Sequence, residues 1–296
     1  MSAHTECEIH SASESEIRSL LLQYRRENWQ GIQRPEIQEK MVDDLLSDSA
    51  GRLLQELTPY VTISAQSRLL DLGSGVGSFV AACAKRGLNC FGAEPDRIGN
   101  GAQLTAIQIA KRRVSRPVFV AAVGESLPFA DGSFDLVTLN QVIEHVSDQQ
   151  AVLSEATRVL KEGGAAYIAC PNYLRFYEPH YKIVWFPLLP KVLGRLYLRL
   201  RGRRPVMLDQ ITYTTNHRLR KLMDKLGPEY TVLDLHRETF LKKRAEGTFA
   251  ARSTRFVRTL SYLPLAGPLV LQAILWFASI REGGCEWLVI RKALDC

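Results

Sequence analysis

The stretch LLDLGSGVGSF, residues 69–79, decides how the chain is read. A short apolar run ends in Asp71. A loop then carries Gly73, Gly75 and Gly77, and an amphipathic segment follows. Strand, acid, glycine loop and helix in that order describe the first turn of a doubly wound α/β sheet, where glycines let the backbone approach a ligand closely. A dinucleotide loop needs G-x-G-x-x-G. Counted from Gly73 the third glycine falls on Ser78, and from Gly75 on Val80, so that spacing fails. A phosphate loop also fails, because no Gly-Lys-Ser/Thr follows. The spacing present is G-x-G-x-G.

Outward from this loop, short apolar runs alternate with longer amphipathic ones. Strands are expected at 68–73, 88–94, 117–123, 133–140 and 165–171. Helices are expected at 78–87, near 97–112 and at 148–160, the last stopped by Glu-Gly-Gly at 162–164. That alternation predicts a parallel sheet with helices on both faces. A helix near 214–226, a strand at 230–236 and a final strand at 285–292 complete the pattern. Residues 1–15 read as a disordered tail and 16–64 as a helical segment. The core covers 65–172, continues over 212–236 and closes with 285–296. Two insertions interrupt it: 173–211, apolar and basic, and 237–284, apolar.

Composition narrows the function. With 46% hydrophobic and 23% charged residues the chain is globular. Its six cysteines form no C-x-x-C pair, which suits a reducing compartment and argues against a zinc ribbon. The polar, acidic N-terminus lacks a basic-then-apolar run, so no secretory leader is expected and the reading is cytoplasmic. The net charge of +7 is concentrated: residues 172–204 hold eight cations and one anion, and the rest of the chain is balanced. Such a patch points to an anionic partner.

DLGSGVG, with its acid before G-x-G-x-G, resembles the first motif of the class I S-adenosylmethionine-dependent methyltransferases. VGESLPFADGSFDLV (123–137) and LKEGGAAYIACPN (160–172) extend the resemblance, which is close to the ubiquinone/menaquinone biosynthesis branch. It implies a seven-stranded, Rossmann-like methyltransferase sheet with six parallel strands and the last antiparallel. The implied cofactor is S-adenosylmethionine. The resemblance assigns Asp71, Gly73, Ser74, Gly75 and Gly77 to its methionine part and Glu94 to the ribose hydroxyls. Gly124, Glu125 and Ser126 fall beside the adenine, and Asn140 beside the sulfonium. Where relatives carry an Asp for the adenine amine, this chain has Val123.

Groups able to act on a methyl acceptor are His145, His180 and Tyr177; transfer without a base is the alternative, since alignment supplies much of the rate. No metal is expected. Some relatives bind one through E-x-x-E-H, but here Gln141 replaces the first acid, leaving Gln141, Glu144 and His145.

The expected function is methyl transfer to an oxygen or carbon of a small or lipid-like acceptor, peripherally at an anionic membrane. The basic segment 185–204 has the composition of an interfacial helix. The uncharged run 259–280 is broken by Pro264, Gly267 and Pro268 and reads as interfacial or core-packed rather than spanning. The alternatives are a soluble small-molecule methyltransferase and a non-catalytic cofactor-binding subunit. Nucleic acid is disfavoured as a partner because proline and leucine interleave the cations and no base-flipping motif is present.

Overall fold

The computed structural model describes residues 12–28, 35–95, 105–114, 118–235, 237, 238 and 284–293. Helices α1 (Glu14–Asn28), α2 (Pro35–Leu46) and α3 (Ser49–Leu57) precede β1 (Arg68–Leu72). There follow α4 (Ser78–Lys85), β2 (Asn89–Glu94), α5 (Ala106–Arg113), β3 (Phe119–Ala121) and β4 (Phe134–Asn140). Next come α6 (Gln149–Arg158), β5 (Leu160–Cys170), and a hairpin of β6 (Tyr177–Glu178) and β7 (Ile183–Val184). The described chain closes with α7 (Lys191–Leu200), α8 (Val206–Asp209), α9 (Asn216–Met223), β8 (Tyr230–Asp234) and β9 (Cys285–Arg291).

Seven strands form one sheet in the order β3-β2-β1-β4-β5-β9-β8. Only β9 runs antiparallel to its neighbours. Seven strands with only the last one reversed are what was expected. The order reverses between β1 and β4, so the crevice beyond their carboxyl ends is where such sheets take ligands.

Apolar residues cover both faces. Leu70, Leu72 and Val137 pack with Val152, Ala156 and Leu219 on one side. Leu69 and Leu136 pack with Leu54, Leu57 and Val80 on the other. A side chain pointing off β1 into the crevice must therefore leave an apolar layer, and Asp71 does so.

Two boundaries differ from the sequence reading. Helix α1 begins at Glu14, inside the expected tail, with Glu14 and Glu16 in its first turn, where acidic residues suit the helix dipole. Glu-Gly-Gly at 162–164 does not merely stop α6, which already ends at Arg158; it lies inside β5. Leu160 pairs with Phe134, the register shifts, and Leu136 pairs with Ala165, so the glycines absorb a bulge, Gly163 at φ +74°. Residues 173–211 form a small body of their own. Hairpin, α7 and α8 close on their own small core of Tyr181, Ile183, Trp185, Leu198 and Leu208. Gly194 permits this, because a Cβ there would sit 2.9 Å from the Trp185 ring. The start of the expected 97–112 helix, the apolar insertion beyond residue 238, and residues 1–11 lie outside the described residues.

Candidate active site

The three loop glycines do different work. Gly73 (φ +72°) has no room for a side chain, since a Cβ would run into Val142, and one at Gly77 (φ +74°) would meet Ala110 and Phe119 at 2.9 Å. Gly75 (φ +50°) has nothing within 4 Å of its Cβ position. It faces open space. Its N–H donates to Glu94 Oε2 at 2.9 Å, which draws the end of β2 against the loop. Ser74 Oγ is buried with no hydrogen-bond partner.

Asp71 is buried, and Thr138 Oγ1 donates to its Oδ1 at 2.7 Å from the neighbouring strand. Burial pushes the Asp71 carboxyl up to about 7; the Glu94 charge adds to this and the Thr138 hydrogen bond opposes it.

These groups open on a cavity of about 440 Å³. Its walls carry Asp71, Gly73, Ser74, Gly75, Asn140 and Gln141 on the loop side, and His145, Pro179 and His180 opposite. Arg25, Asp44 and Leu45 form a third wall from the N-terminal helices. Those helices are held over the loop because Val76 packs with Ile17, Leu21 and Val42, and because Arg113 donates to the carbonyls of both Leu45 and Val76.

A smaller adjoining cavity of about 70 Å³ is lined by Leu72, Ala93, Val123, Gly124, Glu125 and again His145. Glu125 is occupied structurally: its Oε1 accepts from the Ser147 and Asp148 N–H groups and pins the loop after β4. Ser126 is outside both cavities, folded into an isolated bridge with Val123.

Opposite the glycine loop lies a polar cluster assembled from two distant segments. His145 and His180 face each other with their Nε2 atoms 3.3 Å apart. Behind them Glu178, fully buried, binds His180 Nδ1 at 2.7 Å and accepts from the Tyr181 N–H at 2.6 Å. The Tyr173 hydroxyl lies 3.4 Å from Glu178. Glu144 is fully buried beside them, and burial pushes its carboxyl up to about 7, with the Glu178 charge adding and His180 opposing. Burial pulls His145 down to about 4, neighbouring His180 adding to the effect, so it is a neutral imidazole at pH 7.

Tyr177 is corrected by the structure. It is 42% exposed and does not line the cavity. Neighbours along a strand face opposite ways, so burying Glu178 turns Tyr177 outward. Sequence reasoning missed Arg25, Thr138 and Tyr173. Thr138 is two residues before the noted Asn140, and period-two alternation would have placed both on one face.

Residues 70–168 match the family described as a methyltransferase domain. They lie in a seven-stranded sheet whose single reversed last strand is what the resemblance implied. This stretch is similar to a methyltransferase domain. The chain is 33% identical over 162 residues to an uncharacterized methyltransferase of Mycobacterium sp. (strain JLS), covering 54% of this chain and 62% of that protein. It is 31% identical over 171 residues to the ubiquinone/menaquinone biosynthesis C-methyltransferase UbiE of Xylella fastidiosa (strain M23), covering 54% and 64%. The chain thus spans less than two thirds of the length of these relatives. A solved structure, phosphoethanolamine N-methyltransferase 2 of Haemonchus contortus with S-adenosyl-L-methionine, overlaps 82% of this chain and 52% of its own at 16% identity and a TM-score of 0.45. That overlap is too loose to bear on the site.

The matched stretch has groups that fit S-adenosylmethionine. A buried carboxyl at Asp71 suits an ammonium. The open floor at Gly75 suits close approach, and the unpartnered Ser74 hydroxyl can meet a polar group. Glu94 presents a carboxylate, an acceptor-only group, to the Gly75 N–H, but lines neither cavity.

Proposed function

We propose that this chain transfers a methyl group from S-adenosylmethionine to an oxygen or carbon of a small or lipid-like acceptor, at the surface of an anionic membrane. The observation that carries the reading is that the glycine loop and the two facing imidazoles open on one cavity. When bound, the cofactor supplies an electrophilic methyl on a sulfonium, which departs as a neutral thioether. Asp71 pairs with the α-ammonium, Glu94 accepts from the ribose hydroxyls, and Gly124 and Glu125 border the adenine. Asn140 edges the reacting centre. Arg25, on the third wall, suits the cofactor carboxylate. His145 and His180 activate the acceptor, whose one displaced proton ends in solvent, and close alignment within the cavity supplies much of the rate.

Relatives named for C-methylation in ubiquinone/menaquinone biosynthesis support a lipid-like acceptor. So does α7, which buries Gly194 and Leu198 and exposes Val192, Leu193, Leu196 and Leu200 among its cations. Phe176 and Phe186 of the same small body are exposed as well. An apolar stripe among cations suits the headgroup region, each cation contributing about 1 kcal/mol. The hairpin of that body carries His180, so docking and acceptor activation belong to one unit. No helix among the described residues is long and apolar enough to cross a membrane.

The test is calorimetry with S-adenosylmethionine on wild type and Glu94→Ala, followed by mass spectrometry of lipid extracts incubated with labelled cofactor. Glu94→Ala is expected to weaken binding by about 1.5–3 kcal/mol. A folded wild-type chain that shows no saturable binding overturns the reading.

A further inference from the structure

We propose that Glu144, His145 and His180 hold a divalent first-row transition-metal ion on the cavity wall, where it takes an oxygen of the methyl acceptor. The second half rests on the function proposed above; the first rests on geometry alone. Within 141–145 the sequence offers only Glu144 and His145 as charged or imidazole ligands, with Gln141 in place of a further acid. The fold adds His180 from 35 residues away, and the three residues offer ligand atoms within 4.8 Å of one another.

Three observations support a cation here. Neither carboxylate oxygen of Glu144 has a hydrogen-bond partner, although the side chain is fully buried. A buried carboxylate without a donor is costly, and a bound cation removes that cost. His145 Nε2 stands 3.9 Å from Glu144 Oε1, and the two Nε2 atoms are 3.3 Å apart. Bonds of about 2.1 Å to one ion put adjacent ligand atoms roughly 3.0–3.4 Å apart, so the imidazoles already stand at ligand spacing. The third observation is behind the ligands. Glu178 accepts the Nδ1 proton of His180, which turns the Nε2 lone pair toward His145. Carboxylate–histidine support of this kind orients metal-binding imidazoles.

Two imidazoles and one carboxylate suit zinc, iron, cobalt or manganese rather than magnesium or calcium. Three protein ligands leave positions open toward the cavity, where both histidines are lining residues. An acceptor hydroxyl bound there loses its proton to solvent more easily, through the charge of the ion.

Tag-free, chelator-treated chain is titrated with Co²⁺ and followed by visible absorption and calorimetry, with Zn²⁺ as competitor. Expected are one Co²⁺ per chain, a visible band displaced by Zn²⁺, and loss of the band in Glu144→Gln and in His180→Ala. Glu178→Gln, which touches no metal in this arrangement, should weaken binding 10–100-fold. His217→Ala, on an exposed residue of α9, should change nothing. Absence of a band in wild type that binds S-adenosylmethionine overturns the metal and leaves the proposed function standing. Unchanged Co²⁺ binding in Glu144→Gln and His180→Ala also overturns it. Co²⁺ binding without cofactor binding keeps the metal site and overturns the function.

Discussion

Replacing Asp71 by Asn should make the protein more stable and a poorer binder of cofactor, by amounts that depend on pH. The carboxyl lies among apolar side chains at the end of β1, and burial lifts it from 3.8 to about 7. A group raised in the folded state favours folding only while protonated, so its ionisation destabilises the fold as pH rises. Each tenfold of unfavourable ionisation is about 1.4 kcal/mol. The charge therefore costs about 4 kcal/mol at pH 8, about 2 kcal/mol at pH 5, and nothing below the unfolded value of 3.8. Asn keeps an oxygen for the Thr138 hydroxyl, so the hydrogen bond survives while the charge goes. Urea denaturation of both proteins at pH 5 and 8 should show Asn stabilising at both, with the gain larger by about 2 kcal/mol at pH 8. Calorimetry at pH 8 should show affinity for S-adenosylmethionine lower by tenfold or more. An Asn effect on stability that is the same at both pH values would refute the reasoning.

Gly75→Ala and Gly73→Ala separate binding from folding. The first adds a methyl in open space at a left-handed φ, costing about 1–2 kcal/mol of stability and most of the cofactor affinity; the second drives a methyl into Val142 and should lower the melting temperature more. Calorimetry and thermal melts check both, and wild-type affinity in Gly75→Ala counts against the loop as the cofactor floor. Changing Leu193, Leu196 and Leu200 together to Ser, or Arg199, Arg201, Arg203 and Arg204 together to Gln, should reduce flotation with anionic vesicles and leave cofactor affinity intact. Wild type that fails to float with anionic vesicles at low salt leaves membrane docking without support.

What the sequence made legible was local. Asp71, the glycine spacing and the strand–helix alternation all lie within a few residues of one another, and backbone geometry follows from them directly. Neighbourhoods built across the fold were not legible. Periodicity shows that the chain from residue 16 is helical, but not that Arg25 lines the same cavity as the glycine loop. His145 and His180 were each visible as candidates, yet their facing pair needs the 173–211 body to fold back over β4. Tyr177 misled because an aromatic hydroxyl beside His180 looks useful. Its burial partner, Glu178, decides which of the two turns inward.

The place of β9 bears on how the sheet can be assembled. It pairs with β5 through Ala165–Cys170 and with β8 along its other edge, and among the described residues β8 has no other strand partner. During synthesis β5 emerges more than a hundred residues before β9, so its outer edge stays open in the meantime, with Ala166, Ile168 and Cys170 available to a neighbouring chain. β8 cannot join the sheet early, because its docking strand has not yet been made. Two of the seven described strands are thus added in a single late event, and a nascent chain stalled before residue 285 presents a five-stranded sheet whose β5 border is left raw beside the edge at β3.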